Sequence, residues 1–162
     1  MRSMSSVEIA LVIAIAGSAL AAGTPTFLRD LHASRSAEAI DGLATISARA
    51  VAFSEGRDLP GSFPPPVGLT PAEVPRHRPA VDPPGTWEAP TWKALDFGFT
   101  SAHSFSFAFD VASDPTRIWF QAHAHGDLNG DGVTSTFLME GERRPGQQAV
   151  VLPGLHIDRE VE

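Results

Sequence analysis

The chain contains no cysteine and few basic residues. The lack of cysteine excludes disulfide bonds, thiolate zinc sites and thiol nucleophiles. The 12 lysine and arginine residues are scattered, and against 19 acidic residues they leave a net charge of -7. This balance argues against a broad nucleic-acid surface. The HExxH, nucleophile-elbow and phosphate-loop patterns are also missing, so the sequence predicts no enzyme.

Long hydrophobic runs are scarce too. Residues 9–22 form one uninterrupted run of apolar and small side chains, shorter than the ~20 residues that a membrane span needs. Residues 4–7 and the flank up to Leu28 bring it to spanning length, but this extension includes Glu8. A carboxylate within a span costs ~2.5–3.5 kcal/mol and usually marks function. A plain membrane anchor would gain nothing from that cost.

This N-terminal segment resembles the N-terminus of type IV pilins and pseudopilins, in which a short leader is cut from an apolar helix with glutamate at its fifth position. A cut between Ser3 and Met4 makes Glu8 the fifth residue. Gly17 and Pro25 fall where the family carries a glycine and a proline. The resemblance implies cleavage by a prepilin peptidase, N-methylation of Met4, and assembly roles for Glu8, Gly17 and Pro25.

A secretory signal peptide is the other interpretation of the same segment. Residues 19–21, Ala-Leu-Ala, fit a small-x-small cleavage site, and the apolar run has the length of a signal-peptide core. Two features argue against a signal peptide. Arg2 is the single basic residue before the apolar run, and an acidic residue lies directly next to that run.

Helical periodicity continues beyond Pro25. Apolar residues recur mostly three or four positions apart, at Phe27, Leu28, Leu31, Ile40, Leu43, Ile46 and Val51. Gly56 and Pro60 are typical of a helix end. The pattern predicts one long helix over residues 4–55. Ten of the 14 prolines follow between Pro60 and Pro90, and residues 59–90 are predicted to form an extended loop.

The remainder of the chain alternates with a period of two. In residues 103–112, Phe105, Phe107 and Phe109 share one face, which predicts a core strand. Residues 117–124, 134–140 and 148–152 complete a predicted four-stranded antiparallel sheet. The predicted fold class is therefore α+β, with a long N-terminal helix packed on a four-stranded antiparallel sheet. Residues 87–95 and 126–137 also resemble the heads of delta-proteobacterial pilin-like proteins.

A candidate calcium loop lies within this second half. Asp127, Asn129 and Asp131 alternate like the first half of an EF-hand loop, and a backbone carbonyl near Val133 could follow them. The twelfth position is Leu138 rather than glutamate, so no EF-hand domain is expected. The alternative is a plain hairpin turn, because Asn-Gly and Asp-Gly are strong turn signals.

Two histidines, His123 and His125, are predicted to point to the same side of a strand. Their spacing suits a metal, but the sequence offers no third ligand. We therefore interpret them as a surface pair rather than a transition-metal site.

Together these patterns divide the chain into a prepilin leader (residues 1–3), a helix (4–55) and a β-rich head (56–162). The expected function is a structural subunit of a type IV pilus-like filament, a helical homo-oligomer held in the inner membrane as a precursor and then extracellular. A pseudopilin of a type II secretion system, in a periplasmic pseudopilus, is the alternative. An exported calcium-binding module with a cleaved signal peptide is the alternative from another class. The expected partners are prepilin peptidase, the assembly machinery and the membrane, without nucleic acid.

Overall fold

A computed structural model describes residues 36–159 of the chain. Residues 36–53 are α-helical and are named α1. A 3-10 turn at Leu59–Gly61 and a five-residue helix, α2 (Pro90–Ala94), lie in the connection to the sheet. The strands are β1 (Val67–Thr70), β2 (Phe105–Ser113), β3 (Ile118–Gly126), β4 (Ser135–Arg143), β5 (Val150–Val151) and β6 (His156–Asp158).

The six strands form one antiparallel sheet in the order β1-β2-β3-β4, and β5 and β6 pair with successive parts of β4. The three central strands are nine residues each and stay in register along their whole length. Phe105 lies opposite Gly126, and Phe120 lies opposite Gly141. A Cβ atom built on Gly141 would stand 2.3 Å from the ring of Phe120. Glycine there leaves the space that the aromatic ring fills.

The aromatic face of the sheet forms the core with α1. Phe105, Phe107 and Phe109 are fully buried, which confirms the prediction for this strand, and Leu43 and Ile46 of the helix are buried with them. The other face carries mainly polar and small side chains. Burial of these side chains stabilises the layer of helix on sheet.

Helix α1 lies close to the sheet because Gly42 has no side chain. A Cβ atom at this position would come 2.5 Å from the ring of Phe107. At the same end of the sheet, Oε1 of Glu38 accepts hydrogen bonds from the backbone N–H groups of Ser104 (2.7 Å) and Phe105 (3.2 Å). The helix therefore also caps the beginning of β2.

The opposite end of α1 is fixed by Arg143, the last residue of β4. Its Nη1 atom lies 2.9 Å from the carbonyl oxygen of Ser54, 2.8 Å from that of Arg57 and 2.9 Å from Oγ of Ser62. These acceptors lie in the turn that follows α1, so the guanidinium ties this turn to the end of β4.

The proline-rich segment is tied to the sheet by a few side chains. Thr91 donates to the carbonyl oxygen of Pro65 (2.6 Å), and the indole of Trp92 donates to Oγ1 of Thr70 (2.9 Å). Trp87 packs in this region against other aromatic rings, namely those of Trp92, Phe97, Phe99, His103 and Phe107. These rings are continuous with the main core, because Trp92 and Phe107 belong to it and Trp87 packs against it.

The predicted fold class is wrong. In the described part of the chain, α1 covers residues 36–53 and the sheet has six strands rather than four, so the fold is mostly β. The part of the predicted helix over residues 4–35 lies outside the described residues. Strand β1 was missed because prolines flank it and were read as a sign of a loop. A short edge strand tolerates prolines on both sides. Strand β6 was missed because three residues show no period.

Within residues 36–159, no helix is both long enough and apolar enough to cross a bilayer.

Candidate functional site in the loop between β3 and β4

The eight residues between β3 and β4 contain the alternating oxygen side chains identified in the sequence. Strand β3 ends at Gly126 and β4 begins at Ser135, and these two residues face each other across the ladder. The loop therefore stands at the end of the sheet where β2 begins. Gly130 (φ 82°) and Gly132 (φ 91°) adopt left-handed backbone conformations that favour glycine. These glycines let the chain reverse direction within a few residues.

Asp127 organises the loop from a buried position. Its side chain is 1% exposed, and its two carboxylate oxygens accept the N–H groups of Gly130 (Oδ1, 2.7 Å) and Gly132 (Oδ2, 3.1 Å). Nε of Arg76 lies 3.9 Å from Oδ2. The carboxylate is thus satisfied largely by backbone donors, as buried polar groups require.

The other two alternating residues hold the exposed part of the loop. Oδ1 of Asn129 accepts the N–H of Asp131 (2.8 Å), and Oδ1 of Asp131 accepts the N–H of Val133 (2.7 Å). Nδ2 of Asn129 donates to Oδ2 of Asp131 (3.1 Å). Successive side-chain-to-backbone bonds of this kind stabilise a tight turn.

The structure brings together the four predicted ligand positions, Asp127, Asn129, Asp131 and Val133, in one loop. Carboxylate and amide oxygens are the ligands that Ca²⁺ prefers, and an oxygen that accepts one N–H retains a second lone pair. The set contains two carboxylates and one amide. Among the described residues, no group of three or more His, Cys, Asp or Glu side chains is arranged to hold a metal ion.

The second half of an EF-hand is replaced by strand. Leu138 and Glu140 lie within β4, and Oε1 of Glu140 accepts a hydrogen bond from Gln121 (2.6 Å) on the neighbouring strand. Glu140 is therefore engaged on the sheet and does not close the loop.

The loop also contacts the proline-rich segment. The N–H of His77 donates to the carbonyl oxygen of Asp127 (2.9 Å), and Arg76 and Asp127 form an isolated parallel bridge. His77 has a positive φ of 61°, and the N–H of Arg78 reaches the carbonyl oxygen of Arg76 at 2.6 Å, so a tight turn abuts the loop. A cavity of about 860 Å³ lies beside this contact, lined in part by Asp127, Gly132 and Thr134.

His123 and His125 lie side by side on the outer face of β3. Their rings are stacked with centroids 6.1 Å apart. Nε2 of His123 lies 3.4 Å from Oδ2 of Asp110, and Nδ1 of His125 lies 3.1 Å from Oγ1 of Thr136. Burial, and next the proximity of His123, lower the pKa of His125. Both rings are half-buried among these cross-strand contacts.

A buried polar network was missed by the sequence analysis. Oδ2 of Asp82 lies 2.7 Å from Nε2 of His103 and accepts the indole N–H of Trp87 at 2.6 Å. His103 is 1% exposed. Asp82 and His103 are 21 residues apart, and no spacing or periodic pattern connects them.

The other predicted site residues lie outside the described part of the chain. These are Ser3 and Met4 at the processing site, and Glu8, Gly17 and Pro25 in the assembly segment.

Comparison with known proteins gave no match among protein-family models, curated proteins or solved structures. The similarity to type IV pilins therefore depends on the residues of the sequence alone.

Proposed function

We propose that this protein is a structural subunit of a type IV pilus-like filament. The observation that carries the proposal is the register of Glu8, Gly17 and Pro25 on one apolar segment, with Ser3 and Met4 at the position of a prepilin cut. An acidic residue within a membrane segment costs several kcal/mol unless it has a partner. Assembly supplies such a partner, and neither a signal peptide nor a plain anchor does.

The described residues support this proposal through the attachment of α1 to the sheet. The helix follows the N-terminal segment in the chain, and it is fixed at both ends of the sheet. Glu38 holds the beginning of β2, and Arg143 holds the turn that follows the helix. Leu43 and Ile46, which lie between these two ends of the helix, are buried and add apolar packing. A subunit held by its N-terminus needs this kind of firm connection to its head.

The proposed partners follow from the same function. Copies of the chain would form a helical homo-oligomer, and a prepilin peptidase and assembly machinery would process and mount them. The precursor would reside in the inner membrane and the product in an extracellular pilus. A pseudopilin of a type II secretion system, in a periplasmic pseudopilus, is the closest alternative.

Calcium is the proposed cofactor of the loop from Asp127 to Val133. Its support is the presence of two carboxylates and one amide in a single turn, where backbone N–H donors fix the orientation of their oxygens. The same loop would serve the alternative from another class, an exported calcium-binding module whose signal peptide has been removed.

N-terminal sequencing of the protein isolated from its own cells tests the proposal. A mature chain that begins at a methylated Met4 supports the pilin-like function. A chain that begins at Ala22 or Gly23 supports a cleaved signal peptide and contradicts it. An uncut chain beginning at Met1 supports a plain anchor.

A further inference from the structure

Another cavity lies beside α2, and half-buried aromatic rings form part of its wall. Its volume is about 570 Å³, and its lining residues include Trp87, Phe97 and Phe99. These three side chains pack against the main core but are not fully buried. The cavity therefore presents apolar ring surface that a ligand can reach.

The rings of this wall are held in place by the fold. The indole N–H of Trp87 donates to Oδ2 of Asp82 at 2.6 Å. A Cβ atom on Gly98 would stand 2.9 Å from Trp87, so the glycine lets its loop pack closely on the indole side chain. Phe99 stacks on the ring of His103 with centroids 4.5 Å apart. Because these rings are already fixed, a ligand that packs on them pays little for ordering them.

The charged groups around the cavity are paired within the chain. Lys93 is the one cation among the described residues that line it, and it forms an ion pair with Glu88. Oδ2 of Asp96 lies 3.3 Å from Nη1 of Arg49, and the side chain of Asp82 is nearly buried. An anionic ligand would find no unpaired cation in this lining, so the lining favours a neutral ligand.

The polar part of the lining can exchange hydrogen bonds with hydroxyl groups. Thr86 and Thr100 contribute hydroxyls, and Oγ1 of Thr86 donates to the carbonyl oxygen of Pro83 at 2.8 Å while its own lone pairs remain able to accept. The exposed carboxylate of Glu88 can accept further hydrogen bonds while it is paired, because its two oxygens carry several lone pairs. Aromatic surface beside hydroxyl-binding groups matches a sugar ring, which has apolar C–H faces and a hydroxylated edge.

We propose that this cavity binds a neutral oligosaccharide. One pyranose ring lays a C–H face against the wall formed by Trp87, Phe97 and Phe99. Its hydroxyl groups donate to Glu88 and exchange hydrogen bonds with Thr100. The inference goes beyond the proposed filament and does not depend on it, because every residue of the cavity belongs to the described part of the chain and assembly is not required for binding.

Titration of the full-length chain with neutral trisaccharides, followed by tryptophan fluorescence, tests the proposal. The protein is kept in a detergent without a sugar headgroup, and the probes are cellotriose, maltotriose, mannotriose and chitotriose. Since the wall contacts ring faces rather than one particular hydroxyl, at least one probe should give a saturable change. The absence of a change with every probe up to about 10 mM, well above a dissociation constant on the order of 1 mM, would overturn the proposal. Trigalacturonate, which is anionic, should bind more weakly, and equal binding would contradict the neutral class.

Variants of the full-length chain assign the binding to this cavity. Phe99→Leu keeps an apolar side chain but removes the ring, and Glu88→Ala removes an acceptor at an exposed position. Each should weaken binding roughly tenfold, the usual effect of losing one hydrogen bond to a charged group or a comparable contact. Glu73→Ala, an exposed acid outside this cavity, is the matched control and should bind as the wild type does.

Unchanged binding in both Phe99→Leu and Glu88→Ala would overturn the assignment to this cavity. If Phe99→Leu does not fold, the comparison of Glu88→Ala with Glu73→Ala decides.

Discussion

Asp82 and His103 form a buried pair in which both ring nitrogens of the histidine face acceptors. Nε2 lies 2.7 Å from Oδ2 of Asp82, and Nδ1 lies 2.8 Å from the carbonyl oxygen of Phe105. A carbonyl can only accept, so Nδ1 carries a proton. This pair holds the proline-rich segment to the first residues of β2.

Replacing Asp82 with alanine should destabilise the fold strongly. The change leaves His103 and the indole N–H of Trp87 buried without their acceptor, and breaking a buried pair typically costs about 3–5 kcal/mol. Urea denaturation followed by tryptophan fluorescence measures the decrease in the free energy of unfolding. Glu73→Ala is the matched control, because Glu73 is an exposed acid of the same segment and should change stability by less than about 0.5 kcal/mol. Equal stability of the two variants would show that the pair is not required.

Replacing Arg143 with methionine should lower the free energy of unfolding by about 2–3 kcal/mol. The change removes charged hydrogen bonds to the carbonyl oxygens of Ser54 and Arg57, while the aliphatic stem is retained. Arg143→Lys should recover only part of this loss, because an ammonium cannot reproduce the planar set of donors. Arg159→Met, at an exposed position, is the control. A methionine variant as stable as the wild type would contradict the anchoring role.

Stability should fall when the pH drops below the ordinary histidine value of about 6.5. Burial and the neighbouring His123 lower the pKa of His125 in the folded chain. Between the lowered value and the unfolded value, the unfolded chain binds the proton more readily, so acid favours unfolding. The measurement is the melting temperature between about pH 8 and about pH 5.

His125→Gln should reduce the loss of stability at acid pH, because glutamine does not titrate in that range. His156→Gln changes an exposed histidine of β6 and is the matched control. If the two variants lose stability with pH in the same way as the wild type, the contribution assigned to His125 is wrong.

Calcium should raise the melting temperature if it binds the β3–β4 loop. Binding to the folded chain alone stabilises it by about 2.7 kcal/mol at a hundredfold excess over the dissociation constant. The melting temperature of the full-length chain is measured with calcium and with a chelator. The difference between these two melting temperatures is then determined for each variant. Asp127→Ala and Asp131→Ala should abolish the difference, while Asp110→Ala, on the outer face of β2, should keep it. The same melting temperature with calcium and with chelator would show that the loop is a plain turn without a calcium site.

Replacing Glu8 with valine should prevent filament assembly without reducing the amount of protein in the membrane. The proposed reason is that the Glu8 carboxylate pairs with the free amine of Met4 on a neighbouring copy, and this removes the cost of two isolated charges in an apolar environment. Electron microscopy and immunoblotting of membrane fractions measure the two quantities. Ser6→Ala is the control. Filaments at the wild-type level from the valine variant would refute this role.

The elements with a clear period were predictable from the sequence. The alternation of Phe105, Phe107 and Phe109 identified a core strand, and the spacing of Leu43 and Ile46 identified the buried face of α1. Both patterns arise because side chains that face the core recur every second residue in a strand and every three or four residues in a helix. Elements too short to show a period, such as β1 and β6, were not predictable, and the number of strands was therefore wrong.

The candidate site was predictable only in part. The spacing of Asp127, Asn129 and Asp131 placed three oxygen side chains in one loop, because sequence neighbours in a tight turn must lie together. The contact of this loop with Arg76, and the pairing of Asp82 with His103, depend on how distant segments pack. A single sequence contains no local signal for such contacts.

The two edges of the sheet have a consequence for how copies of the chain can meet. One edge is β1, four residues long and bounded by Pro66 and Pro71. The other is divided between β5 and β6, with residues 152–155 interrupting it. Neither edge offers a long row of free backbone donors and acceptors, which is the template that misfolded chains need to add strands. Even at high local concentration, strand addition at these edges is therefore restricted to short stretches, which disfavours amyloid-like aggregation of the folded sheet.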